Sequence, residues 1–132
     1  MVNDLLAWFV AAVKADLTGF QGRIFPDVAP EGTANPCIVY QLYGDEHDAT
    51  LDPGMTGHAT LAYQVRIYGD SRSSANALRE SFRERFEGVS PVAIGGGWKV
   101  EGSAFGNLAE TYEKETKDYG ALAVVEFHLA RA

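Results

Sequence analysis

Cysteine is nearly missing from this sequence: Cys37 stands alone. A single thiol excludes an intrachain disulfide and any multi-cysteine metal site. Cys37 follows Pro36 and heads an apolar run, the setting of a small buried hydrophobe rather than of a nucleophile with a partner base. Positive charge is scarce too, with eleven basic against eighteen acidic side chains and a net charge of −7. The nearest approach to a basic cluster is Arg79, Arg83 and Arg85, and Glu80, Glu84 and Glu87 are interleaved with it. That pattern is a solvated helix face, and it argues against a free-standing nucleic-acid binder. Residues 5–13 form an unbroken apolar run of nine, far short of the roughly 20 that a membrane span needs. No Lys or Arg precedes that run, as a signal peptide requires, so a cytosolic chain with no membrane partner is expected.

Familiar catalytic motifs are missing as well. Gly95, Gly96 and Gly97 are followed by Trp98, Lys99 and Val100, without the Lys-Ser/Thr pair of a phosphate loop. Ser90 lies between Val89 and Pro91, so there is no Gly-x-Ser-x-Gly elbow. His47, His58 and His128 are widely spaced and form no His-Glu-x-x-His pattern. No cofactor is expected from the sequence. One acidic segment does offer hard oxygen ligands: Asp45, His47, Asp48 and Asp52, with Glu46 among them. Its spacing is not that of a calcium loop, and a solvated acidic loop and a divalent-cation site both remain open.

What is present is a chain of 132 residues with 46% apolar side chains, enough for one domain with a real core, residues 1–132. Its organising stretch is 58–69, where Ala59, Leu61, Tyr63, Val65 and Ile67 alternate with His58, Thr60, Ala62, Gln64, Arg66 and Tyr68. Side chains alternate across a strand, so this run predicts a long strand with one buried and one wet face. Ser71 or Ser73 then caps a helix to about Phe86, with Ala75, Leu78, Phe82 and Phe86 on one face. Asn3 or Asp4 caps a first helix reaching Asp16 or Leu17. That helix carries Leu5, Leu6, Trp8, Phe9, Val10 and Val13 nearly all round, which calls for cover on more than one side.

Further strands are expected at 21–25, 37–43, 98–105, 107–112 and 121–130. Segments 27–36, 44–57, 89–97 and 113–120 read as loops or turns from their Gly, Pro and polar content. The long 44–57 segment suits a projecting hairpin tip. There is no internal repeat, linker or low-complexity tract. The expected fold class is α+β: a mainly antiparallel sheet with two helices on one face.

Several short motifs, in order, resemble one family. They are Gly-Arg-Ile-Phe-Pro at 22–26, Ala-Pro-Glu-Gly at 29–32, Pro-Cys-Ile-Val-Tyr at 36–40 and Thr-Leu-Asp at 50–52 with Gly54. Leu61 to Gly69 leading into Asp70, Ser71 and a helix continues the series, as does Tyr112-Glu113 through Tyr119 into Val124-Val125-Glu126-Phe127. Together these are similar to the tail-completion proteins, the tail terminators of long-tailed phages and gene transfer agents. Cys37 departs from a common aromatic and Glu126 from a frequent Asp. The resemblance implies a structural virion protein: a hexameric ring on the head-proximal end of the tail tube, touching tube protein and head connector. Its place is the virion, after assembly in the host cytoplasm, with DNA passing through the lumen without specific binding. Six copies at −7 each would place about −42 on such a ring, which repels phosphates and also opposes association. The expected assembly surface is Trp8 together with Glu46, His47, Asp48, Leu51, Asp52 and Met55 of the projecting segment.

Overall fold

The computed structural model describes residues 2–47, 58–106, 110–113 and 118–131. Its elements are α1 (Val2–Asp16), a 3₁₀ turn (Thr18–Phe20), β1 (Ile24–Pro26), β2 (Cys37–His47) and β3 (His58–Gly69). After these come α2 (Arg72–Phe86), β4 (Val92–Gly95), β5 (Trp98–Gly106), β6 (Glu110–Glu113) and β7 (Asp118–Arg131). The class is α+β, as the pattern predicted.

The organising stretch is a strand over its whole predicted length, and β7 pairs with it antiparallel from Tyr119 opposite Gly69 to Ala130 opposite His58. The strand order is β1-β2-β3-β7-β5-β4, with β6 sharing the far side of β7 with β5. All pairs are antiparallel except β1 with β2. Alternation decides the core. Leu61, Tyr63, Val65 and Ile67 of β3 and Ala123, Val125, Phe127 and Leu129 of β7 are buried on one face, under both helices. Phe9 of α1 sits at the centre, with its ring near those of Tyr40, Tyr63, Phe82, Phe86 and Phe127 at 5.1 to 5.9 Å and 6.0 Å. Burying one such ring contributes roughly 1.5–3 kcal/mol.

Both helices form where the sequence placed them. Ser71 caps α2, its hydroxyl accepting from the Ser74 N–H at 3.1 Å. Gly69 is required just before: a Cβ there would stand 2.7 Å from the Ala75 nitrogen. Asn3 and Asp4 lie inside the first turn of α1 rather than before it. Leu5, Phe9, Ala12 and Val13 are buried, while Leu6, Trp8 and Val10 are half-buried against the core's rim. The second stripe of α1 is therefore only partly covered within one chain.

Several boundaries differ from the sequence reading, among them β1, which forms only at Ile24–Pro26, and β6, which reaches Glu113. β2 does not stop at Tyr43 but continues to His47 after a bulge between Leu42 and Gly44, so 44–47 is strand. Pairing with β3 holds those polar residues extended, a tertiary effect that composition does not carry. Residues 92–95, expected within a turn, form β4 on the edge of β5. The last strand begins at Asp118, inside a segment expected to be a turn. The register shift between Val100 and Gly102 is a bulge in one continuous strand, β5.

Candidate assembly surface

Three places outside the core could carry function: a groove beside Trp8, a concavity under residues 27–36, and the sheet face that bears no helix. The groove forms where α1 passes the end of α2. Trp8 contributes its indole, with Phe86 and Phe127 edge-on to it at 6.0 and 5.6 Å. Arg85 lies over that indole at 5.8 Å and over Phe86 at 5.0 Å, and donates to the Asp16 carboxylate at 2.7 Å. Val89, Pro91 and Val92 close the other wall of a cavity of about 390 Å³, with Glu84 and Glu87 on its rim. The wall is hung on β5: Gly88 N–H donates to the Ser103 carbonyl at 3.2 Å and Val89 N–H to the Ser103 hydroxyl at 2.9 Å. The cleft is lined by more polar than apolar surface, and Trp and Arg are residue types enriched at protein–protein contacts.

The second concavity, about 380 Å³, lies between residues 27–36 and the outer face of β2 and β3, with Cys37, Val39, Arg66 and Tyr68 as its floor. Cys37 is buried, and its sulfur approaches the Asn35 carboxamide oxygen at 3.7 Å. Cys37 pairs with Tyr68 and His128 with Thr60, eight residues apart along β3, or about 26 Å. His58 is farther along, so this thiol forms no dyad with either histidine. Nearby, burial pushes the Tyr40 phenol above its usual range, and the Asp27 carboxylate adds to that.

The open face is polar where the core face is aromatic. His58 Nδ1 stands 3.9 Å from Glu101, Lys99 Nζ 3.8 Å from Glu101, and Thr60 Oγ1 3.3 Å from His128 Nδ1. Among the described residues, no charged side chain is buried and no three His, Cys, Asp or Glu stand close enough to share a metal. No described helix is long and apolar enough to cross a membrane.

Of the residues expected to form the assembly surface, Trp8 lines the groove. Glu46 and His47 belong to β2, paired with Thr60 and Ala59, and Asp45 pairs with Leu61. Asp48, Leu51, Asp52 and Met55 lie outside the described residues, as does most of the segment that would hold a cation. Sequence reasoning missed Arg85, Val89, Pro91 and Val92 as partners of Trp8, because the groove joins three separate segments. The one available signal was an indole on a helix with too many apolar faces.

No family model matches this chain, and no curated protein does. Among solved structures, it is similar to a chain in the virion of a native gene transfer agent particle. That likeness has a TM-score of 0.63 and covers 93% of this chain and 90% of the other, at 15% sequence identity. At that identity the shared property is the fold.

Proposed function

We propose that this protein is a structural component of a phage-like particle and acts as its tail terminator. In this role copies of the chain form a ring, hexameric by the family resemblance, on the head-proximal end of the tail tube. The ring stops tube growth and presents a surface to the head connector. The work is done by shape and self-association, without turnover. One observation carries the reading: the fold matches, almost end to end, that of a chain in a gene transfer agent virion. The ordered motifs from 22–26 to 124–127 and the half-covered second stripe of α1 support it.

The net charge sets the conditions for assembly. Copies at −7 repel one another, and salt screens that repulsion beyond about 8–10 Å, so rings should strengthen with ionic strength or on a tube end. Native mass spectrometry across salt concentrations, with and without purified tail tubes, tests the proposal. A ring species, or saturable binding at one tube end by electron microscopy, supports it. A monomer that ignores tail tubes under every condition overturns it. Metal analysis of protein purified without chelator separates this role from a cation-binding module built on Asp45, His47, Asp48 and Asp52.

A further inference from the structure

We propose that residues 27–36 are a strap that swings off the sheet while the rest of the fold stays intact. Cys37 is thereby gated: sealed when the strap is closed and open to solvent when it lifts. The device belongs to the single chain and does not depend on the ring reading.

The strap leaves β1 at Pro26, opposite Tyr40, and returns to β2 at Cys37, three places back along the same strand. That return is about 10 Å along β2. Ten residues reach about 33 Å when extended, so the segment has slack and can lift without unpairing β1. It takes up the slack as an arch over the reverse face, above a concavity of about 380 Å³ floored by Cys37, Val39, Arg66 and Tyr68. Cys37 and Val39 stand opposite Tyr68 and Arg66 in the β2–β3 ladder, on the side away from both helices. The strap, rather than a helix, is what keeps them at 3% and 6% exposure.

The arch is held at its feet. At one foot the Asp27 N–H donates to the Tyr40 carbonyl at 2.9 Å. At the other, Arg23 Nε donates to the Pro36 carbonyl at 2.9 Å, and the Cys37 sulfur lies 3.7 Å from the Asn35 carboxamide oxygen. Between the feet, the described hydrogen bonds turn inward. The Val28 N–H donates to the Pro26 carbonyl, and the Thr33 N–H and hydroxyl both donate to the Pro30 carbonyl. No residue from Asp27 to Pro36 is buried, and Val28 is 74% exposed. A segment arched over a concavity forgoes much of the dispersion contact that close packing gives. Few buried apolar contacts and an exposed backbone mark the elements that open first, at the low end of a protein's range of local stability. The strands beneath, paired from Cys37 to His47, belong to the high end.

Cys37 is the chain's single thiol, so its thiol–disulfide exchange with an aromatic disulfide reagent reads the strap directly. The rate is measured where it is proportional to reagent, so that it reports the open fraction. Complete labelling in native buffer is expected. Urea below the unfolding transition should leave the rate nearly flat, because lifting the strap exposes little surface. Phe9→Ala weakens a core that the open form retains, so labelling should stay within about twofold of the unsubstituted rate, whereas a route through global unfolding would speed it about a hundredfold or more. Arg23→Ala removes one foot and should speed labelling roughly twofold to tenfold. A rate that climbs with urea along the global unfolding slope, or that rises with Phe9→Ala, overturns the strap. So does a rate that Arg23→Ala leaves unchanged, since Cys37 would then be reached by another route.

Discussion

The two faces of this sheet are built from the same strands and yet obey different rules. On β3, Leu61, Tyr63, Val65 and Ile67 are buried under α1 and α2, while Thr60, Gln64 and Arg66 on the reverse meet partial cover or solvent. A one-residue slip of β3 would exchange the two sets, which is why its register is fixed so firmly. Stability is concentrated on the first face. The reverse face is mixed, with Cys37, Val39, Ala62 and Ala130 buried beside half-covered Thr60 and Gln64 and exposed Arg66.

The strongest way to break this contrast is at its centre. Phe9→Ala removes a fully buried ring and should cost about 3–5 kcal/mol in chemical denaturation, a large part of a typical domain's stability. Gln64→Ala on the reverse face should change it by no more than about 0.5 kcal/mol. Comparable losses from the two would refute the division. Next comes the join between sheet and helix. Gly69→Ala forces a Cβ against the backbone of Ala75, and Gly96→Ala adds one at φ +63 against the Asp4 carboxylate. Each should lower stability by about 1–3 kcal/mol, read as a fall in melting temperature. Ser71→Ala deletes the cap of α2 and should cost about 1 kcal/mol, seen in the same thermal scan.

The smallest effect sharpens the contrast at the sheet margin. The Tyr40 phenol is raised by burial and then by Asp27, so the folded state holds its proton more tightly than the unfolded chain. The stability this contributes is fully present below pH 10.0, the ordinary value, and is lost as pH rises through the higher folded value. Denaturation between pH 8 and pH 11 should therefore show a steeper decline for the unsubstituted protein than for Tyr40→Phe.

Much of this architecture could be read in the chain because local and tertiary preferences agree. β3 alternates over its whole length, and α2 has a cap, an apolar stripe and a glycine beyond its end. β4 escaped because four residues between Pro91 and a run of glycines read as a turn until β5 supplies hydrogen bonds. The polar end of β2 escaped for the same reason: Gly44, Asp45, Glu46 and His47 have little strand preference, and β3 imposes it. The candidate surface was legible only at Trp8. Arg85 looked like one member of a solvated helix face, and nothing local placed Val89 beside Trp8.

β7 is hydrogen-bonded to β3, β5 and β6, and it is the last of the strands to emerge in chain order. Before it arrives, β3 has one of its two neighbours and β5 lacks its main one, so a partly synthesised chain exposes sheet edges it cannot close. Sealing them requires contacts between positions about sixty residues apart, the long-range kind that makes folding slow. Until then the helices have only half a sheet to lie on, and the growing chain depends on its surroundings to keep those edges from sticking.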